Sequence, residues 1–379
     1  MPTRNLRLYT LITIICLFSG ALSGDLFKPA YRPPETNRTA RSPEQKYETL
    51  LWALNSAAMG HFENGRYDKA EEGYQKILEI SEVLLGEKHP TSTLLMGNVA
   101  WFYYSRGRWD EAEQLLEKII TLRQDMNLEQ DPNSPDYRSG LGMLHVKQAR
   151  YDKADAALTK VLEERRRLSG EDHPATLSAM SDLAVLRTAQ GRYDEAEQLL
   201  SEALEAGAKS LEEDDPMLLS FQNRRGVLLT EQGRYEEAEK VLAKTLKSRT
   251  GKLGEDDPET LESIHNLGVL YARQDRADDA EPLLKKALET RRTKLGDEHP
   301  DTVESSHELG VLYAARQRNA DAEPLLVKAY KGRIKRLRKG HPATRESLKQ
   351  LIKLYDAWGK PEKAQQWRTR LGVDKGPDS

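Results

Sequence analysis

The sequence predicts an all-α solenoid of about eight helix–turn–helix repeats, and three regularities support this fold class. A phrase of the type GRYDEAEQLL returns along the chain in eight copies, each 42 residues after the previous one. A proline ahead of seven units keeps the same spacing, and so does an alanine inside every phrase. A fixed period of this length is typical of arrays whose units pack only against their neighbours.

Each unit contains two amphipathic helices joined by a tight turn, as the unit around Gly191 illustrates. Apolar residues from Leu177 to Leu186 recur at three- and four-residue spacing, which indicates one buried helix face. Gly191 ends this helix because glycine readily adopts positive φ, and a second apolar face runs from Ala196 to Leu204. Proline suits the first turn of a helix. The unit prolines are Pro90, Pro132, Pro174, Pro216, Pro258, Pro300 and Pro342.

Small residues predict where the two helices of a unit touch. Ala or Gly holds one first-helix position in seven of the eight units, and Ile352 stands there in the last. A larger side chain would overpack this contact at a cost of about 1–3 kcal/mol. The second-helix position is alanine throughout, at Ala70, Ala112, Ala154, Ala196, Ala238, Ala280, Ala322 and Ala364.

The N-terminus has the pattern of a secretory signal peptide over residues 1–23. It begins with basic residues and no acid, continues with an apolar run from Leu8, and places small residues before Gly24. We expect cleavage there, export to a secreted or periplasmic location, and no stable membrane insertion afterwards. The alternative is a membrane anchor formed by residues 8–22, although this run is short for a span.

The rest of the chain divides into three segments. Residues 24–42 contain three prolines and predict an extended linker, residues 43–372 form the repeat array, and residues 373–379 form a tail. Cys16 is the only cysteine, so a cleaved chain would have neither disulfides nor a thiol nucleophile. Asn37 lies in an NRT sequence, which is a glycosylation acceptor only on a eukaryotic secretory route.

The repeated residues resemble those of a known family. The small first-helix residue, the G-R-Y turn and the alanine three residues after the aromatic are similar to the tetratricopeptide repeat. The 42-residue form, with LGE-x-HP-x-T between units, resembles the repeats of kinesin light chains and nephrocystin-type proteins. The resemblance covers about 330 of 379 residues. It implies a right-handed solenoid with the first helices on its concave side, and a protein or peptide as partner.

The resemblance also implies which residues face the groove. One position stands directly before the first-helix apolar anchor, and another follows seven residues later. Both vary widely between units while the core positions barely vary, as expected of a fixed scaffold with a particular recognition surface. The candidates for partner binding are Asn98, Lys147, Asp182, Arg224, Asn266, Arg273 and Glu308.

Three of these candidates define a more specific expectation. Asp182, Arg224 and Asn266 occupy equivalent places in consecutive units, so they should form one row along the groove. Arg224 is the expected anchor because its guanidinium can hold a carboxylate through two hydrogen bonds. Asn98 and Asn266 match the groove asparagines with which tetratricopeptide repeats hold a peptide backbone.

No motif for catalysis, a cofactor or a metal emerges from the sequence. The stretch HELGV at His307–Val311 lacks the second histidine of the zinc motif H-E-x-x-H. Histidines stand before several unit prolines, but aspartate replaces them in other units. We interpret this position as a turn or helix cap, and we expect no enzyme activity, no cofactor and no metal.

The net charge argues against nucleic acid as a partner, but two local features, a basic run and a single arginine, each allow two interpretations. The net charge of −3 indicates no overall attraction to nucleic acid or to an anionic membrane, so no nucleic acid is expected. The basic run Lys328–Lys339 either binds phosphate or lipid, or is the solvated face of a helix with a cationic last turn. Arg225 stands where other units have apolar residues, so it either marks function or packs its stem with its head in water.

The sequence therefore predicts a non-catalytic scaffold that binds a protein or peptide in a concave groove. Two alternatives remain at this point. The chain could be an accessory or assembly subunit of an exported enzyme complex. It could also be a cytoplasmic adaptor similar to a light chain, if the N-terminus is not cleaved.

Overall fold

The computed structural model describes residues 42–127, 134–337 and 340–373. These ranges contain sixteen helices and no strand. The first helices of units 1 to 8 are α1 (Pro43–Glu63), α3 (Pro90–Ser105), α5 (Ser134–Lys147), α7 (Pro174–Ala189), α9 (Pro216–Glu231), α11 (Pro258–Arg273), α13 (Pro300–Ala315) and α15 (Pro342–Ala357). The second helices are α2 (Tyr67–Leu85), α4 (Trp109–Asp125), α6 (Tyr151–Ser169), α8 (Tyr193–Gly207), α10 (Tyr235–Leu253), α12 (Ala277–Leu295), α14 (Asn319–Arg336) and α16 (Pro361–Val373).

The helices are arranged as a continuous solenoid. Each first helix packs against the second helix of its own unit, and each second helix packs against the next first helix. From unit 3 onward, consecutive first helices also contact each other, whereas no two second helices in the described ranges share a contact of comparable extent. The first helices therefore lie on the inner side of the curve. The predicted all-α repeat solenoid is confirmed.

Two earlier expectations concern the ends of the chain. The signal peptide and nearly all of the linker and the tail lie outside the described residues, so their boundaries stay predictions. Among the helices that the structure describes, none is long and apolar enough to cross a membrane.

The residue before the unit proline caps the first helix in six units, whereas Asp131 and Pro132 of unit 3 lie outside the described residues. The Nδ1 atoms of four histidines accept hydrogen bonds of 3.1–3.2 Å from the backbone N–H two residues further on. Asp215 and Asp257 make the same bond through a carboxylate oxygen, at 2.8–2.9 Å. Because either side chain satisfies a free N–H of the first turn, the interpretation of this position as a cap is confirmed. The histidines are His89, His173, His299 and His341.

The predicted close contact inside each unit is also confirmed. Ala196 is fully buried, as are the alanines at its position in the other units. A β-carbon added at Gly226 would lie only 2.4 Å from Cδ2 of Leu242 on the second helix. No side chain fits into such a gap without moving its neighbour, so the two backbones approach as closely as the small residues allow.

Buried arginines link successive units, a feature that the sequence reasoning missed. Arg249 is fully buried near the end of α10, and its Nη1 donates to the carbonyl of Glu259 at 2.9 Å and to Ser263 Oγ at 2.8 Å. Arg291 and Arg333 make the same pair of bonds one and two units later. The signal was present as an arginine at 42-residue spacing with a serine fourteen residues after it.

A ladder of ion pairs runs along the turns between the two helices of each unit. In units 5 to 7, the arginine at the second position of the turn contacts a glutamate on the preceding second helix, with N–O distances of 2.7–2.9 Å. Exposed pairs of this kind contribute roughly 0–1 kcal/mol each. The three pairs are Arg234–Glu197, Arg276–Glu239 and Arg318–Glu281.

Candidate functional site

The inner side of the solenoid carries the residues that the sequence selected. The position before the apolar anchor of each first helix recurs along the inner side and forms an inner row, in which Arg224 contacts the equivalent residue Asp182 of the preceding unit. A second row lies seven residues later, near the C-terminal ends of the first helices. The inner row consists of Ser56, Asn98, Gly140, Asp182, Arg224, Asn266, Glu308 and Gln350.

Asn98 is buried between the first two units. Its Nδ2 donates to Oδ1 of Asn55 on the preceding first helix at 3.0 Å, and only 3% of the residue is exposed. The amide group thus links α1 to α3.

Asp182 and Arg224 form a buried ion pair between units 4 and 5. The Asp182 Oδ1 accepts from Arg224 Nη1 at 2.8 Å, and its Oδ2 accepts from Ser139 at 2.9 Å. The same Nη1 also donates to Ser181 Oγ at 2.8 Å. Exposure is 2% for the Asp182 side chain and 12% for that of Arg224. The row that was predicted from the 42-residue spacing exists here, but its charges are directed at each other.

Burial of this ion pair changes the pKa of Asp182. Desolvation raises the pKa of its carboxyl group, and the positive charge and hydrogen bond of Arg224 oppose that rise. Removing one partner would leave the other charge buried and uncompensated. The binding role predicted for Arg224 stays a prediction, and it would require a partner that replaces Asp182.

The later units present their inner residues differently. Arg273 forms a bidentate ion pair with Glu231. Its Nη2 lies 2.8 Å from Oε1 and its Nη1 lies 3.1 Å from Oε2. The side chains are 42% and 35% exposed. Asn266 and Glu308 are half-buried, and Lys147 is exposed. Of the seven candidates, Lys147 and Arg273 are therefore accessible, and Asn98, Asp182 and Arg224 are held in contacts between first helices.

An acidic patch adjoins Glu308 on the inner side of unit 7. Glu304 Oε2 lies 2.6 Å from Nη2 of the buried Arg333, while the Glu304 side chain remains 47% exposed. Desolvation and the nearby Glu304 carboxylate raise the pKa of Glu308 above its usual range. Desolvation also acts on Glu304, but the charge of Arg333 outweighs it and holds the pKa of Glu304 low. The two carboxyl groups thus differ in proton affinity although they stand one turn apart.

Two buried histidines lie beneath this patch. Burial, assisted by Arg291, lowers the pKa of His265 to about 3, and burial with Arg333 lowers that of His307 to about 4. Both rings are therefore neutral near pH 7. Sequence reasoning did not place Glu304 and the two histidines on the inner face. Helical periodicity could have found them, since His307 directly precedes Glu308 and Glu304 precedes it by one turn.

The basic run and Arg225 contribute mainly to structure. Within the described part of the run, Lys328 pairs with Asp297, Arg333 with Glu304, and Lys335 with Glu298. These pairs favour the interpretation as a helix face with a cationic last turn. Arg225 is half-buried. It assists Arg234 in lowering the pKa of Glu197, which fits an arginine whose stem packs against its neighbours.

Comparison with known proteins identifies the repeats. The family model described as tetratricopeptide repeat matches residues 49–125, 136–209, 217–293 and 271–335. This chain belongs to the tetratricopeptide repeat family. The resemblance predicted from the sequence is thereby confirmed, and the chain has the architecture of a protein-binding scaffold. No curated protein matches it.

Several solved structures are similar to this tetratricopeptide array. NprR in complex with its cognate peptide NprX has a TM-score of 0.61 at 14% identity, over 86% of this chain and 87% of that one. A monomeric IFIT1 mutant with Gppp-AAAA has a TM-score of 0.51 at 16% identity, over 96% and 79%. A putative kinesin light chain of Podosopora anserina is 27% identical over 54% of this chain and 96% of that one, with a TM-score of 0.44. Repeats of the kinesin light chain type are thus found among the similar structures.

Proposed function

We propose that this tetratricopeptide array is a non-catalytic scaffold that binds an extended segment of a partner protein on the inner face of units 5 to 7. One observation carries the proposal. Along the inner side, the Asp182–Arg224 pair of units 4 and 5 has side chains that are 2% and 12% exposed, and it is followed by the Arg273–Glu231 pair of the second row, whose side chains are 42% and 35% exposed. A scaffold with one binding region needs such a change, because its remaining inner positions must hold the units together.

The accessible groups suit a polypeptide. The Asn266 amide can both donate to and accept from a peptide backbone. Arg273 and Glu231 are partly exposed, so their ion pair is weak and either charge can turn to a group on the partner. Glu304 and Glu308 offer carboxylates to a basic or amide side chain. The similar structure of NprR supports this proposal, since that protein is in complex with its cognate peptide NprX.

Selected peptides provide the test. A random peptide library would be selected on the wild-type array, and affinities would be measured by fluorescence anisotropy. We expect the double variant Asn266→Ala, Arg273→Ala to weaken binding by about tenfold or more, because it removes two polar contacts with the peptide. The matched control is Arg166→Ala, since Arg166 on α6 is 40% exposed and also holds a carboxylate, that of Glu171. Equal affinity of the double variant and the wild type would exclude units 5 to 7 as the binding region.

We also propose that the scaffold is exported. The basic start, the apolar run and the small residues before Gly24 support this proposal. We expect N-terminal sequencing of protein from the native host to begin near Gly24. Protein that begins at Met1 or Pro2 would instead favour a membrane-anchored form or a cytoplasmic adaptor.

A further inference from the structure

Two histidine caps make contacts far along the chain. The Nε2 of His299 in unit 7 lies 2.6 Å from the carbonyl oxygen of Ser105 in unit 2. The Nε2 of His341 in unit 8 lies 3.1 Å from the carbonyl oxygen of Lys147 in unit 3. Both pairs are separated by 194 residues, so the second contact repeats the first one unit later. We call the set of contacts between these distant units the clasp.

Further contacts in the clasp surround the turn after α3. The Tyr67 hydroxyl donates to the carbonyl of Lys294 at 2.6 Å, and Arg106 Nη1 donates to the carbonyl of Leu295 at 3.2 Å. The Arg106 guanidinium lies 3.7 Å from the centre of the Tyr67 ring. A β-carbon added at Gly107 would approach Cγ of Pro300 to 2.3 Å. Units 1 to 3 are therefore in close contact with units 6 to 8.

The clasp changes the shape of the groove. Units 2 and 7 are five units apart along a continuous solenoid whose first helices face inward. When such units touch, the array has completed one turn about its axis. The inner face then surrounds a channel, whereas an incomplete turn would leave a groove that is open along one side.

The chemistry of the cap explains why histidine occurs at these two positions. Capping uses only Nδ1, and Asp215 and Asp257 cap α9 and α11 equally well. Aspartate has no N–H, whereas a histidine that accepts at Nδ1 carries its proton on Nε2 and can donate it to a carbonyl. Burial lowers the pKa of His299 and of His341, so both rings are neutral at pH 7.

We propose that His299 and His341 latch the array into one closed turn, each capping its own helix through Nδ1 and holding a distant unit through Nε2. Access to the inner face is then along the channel axis or through an opened clasp. This inference concerns the conformation of the array and does not require the binding region proposed above.

Spin labels can report the state of the clasp in the full chain. The exposed residues Lys69 and Thr293 flank the Tyr67–Lys294 contact, so labels on Lys69→Cys and Thr293→Cys would lie on opposite sides of it. Cys16→Ser removes the natural thiol. Electron–electron double resonance should show one short, narrow distance distribution for the wild-type array. A long and broad distribution would overturn the closed turn itself.

Substitution of the two latch histidines by aspartate keeps a capping acceptor and removes the Nε2 donor, and the control variant carries the same change of charge and size. We expect His299→Asp with His341→Asp to shift the label distances to longer and broader values. The control is His173→Asp, since His173 caps α7 in the same way and takes no part in the clasp. Each single variant is measured as well, in case the double variant folds poorly. Unchanged distances in all latch variants would overturn the role of the histidines.

A matched pair of glycines opens the clasp by a second route. Gly107 and Gly191 hold the same turn position with φ of +70° and +74°, so alanine is equally strained at both. Only at Gly107 would the added β-carbon meet Pro300, because nothing lies within 4 Å of it at Gly191. We expect longer label distances for Gly107→Ala and wild-type distances for Gly191→Ala. Equal distances in the two glycine variants would contradict the clasp geometry.

Discussion

The inner row behaves differently in two halves of the molecule. In units 4 and 5, Asp182 and Arg224 are buried and bind each other. In units 6 and 7, Asn266 and Glu308 occupy the same row and are half-buried, and Arg273 of the second row pairs with Glu231 at the surface. One repeat position thus serves as a contact between units in one half and is partly exposed in the other.

The residue directly before the inner row also differs between the halves. In units 3 and 4 that residue is Ser139 or Ser181, whose small hydroxyl side chains leave room for the Asp182–Arg224 pair and bond to it. In units 6 and 7 it is His265 or His307, and both rings are buried. Contacts between units and the proposed binding of a partner therefore use the same face of the first helices.

The largest effect is expected where the row is buried. Asp182→Ala should destabilise the array by about 3–5 kcal/mol, because it leaves the Arg224 guanidinium buried without its carboxylate. Urea denaturation measures the loss. Asn266→Ala at the equivalent position two units later should change the free energy of unfolding by no more than roughly 0.5 kcal/mol. Similar losses in the two variants would remove the distinction between the halves.

A second experiment tests whether Asp182→Ala is unstable because it leaves a buried charge unpaired or because it loses packing. Replacing both partners, with Asp182→Leu and Arg224→Met, removes the uncompensated charge and keeps apolar volume in the contact. Most of the stability lost in Asp182→Ala should return, since buried ion pairs are often replaceable by apolar groups. A double variant as unstable as Asp182→Ala would show that the hydrogen bonds to Ser139 and Ser181 are essential.

An intermediate effect is expected from pH in the other half. His307 has a folded-state pKa of about 4, below its unfolded value near 6.5, so the unfolded chain binds the proton more readily. The stability that depends on neutral His307 is complete above about pH 6.5 and is lost as the pH falls towards 4. This loss should be on the order of 3 kcal/mol. Denaturation at several pH values should show a flatter decline for His307→Asn, and an identical decline would mean that His307 does not titrate in this range.

The smallest effect is expected at the exposed pair. Arg273→Ala should cost about 0.5 kcal/mol or less, because solvent screens its bond with Glu231. Thermal denaturation at low and high salt checks both the size and the screening. A loss comparable to that of Asp182→Ala would mean that the second row also holds units together.

Local structure was predictable because each unit repeats the same short-range chemistry. Proline with a preceding histidine or aspartate determines where first helices begin, since both side chains can accept from the first turn. Glycine at Gly191 ends a first helix, and the alanine at Ala196 marks the contact with its second helix. These relations span few residues, so the sequence contains them directly.

Relations between units were only partly predictable. The alignment of Asp182 with Arg224 followed from the 42-residue period, but their burial depends on how closely neighbouring first helices approach. The bond from Arg249 to Ser263 likewise depends on the direction in which a side chain leaves its helix. A repeat period specifies which positions are equivalent, and it does not specify the angle between successive units.

The clasp depends entirely on that angle. By itself, the sequence determined the helices, their caps, the close contacts inside each unit and the candidate rows, because neighbouring residues encode them. Only the tertiary structure decided which row residues are accessible and that His299 meets Ser105 across 194 residues. A small rotation at each junction accumulates over five units, and this sum decides whether the turn closes.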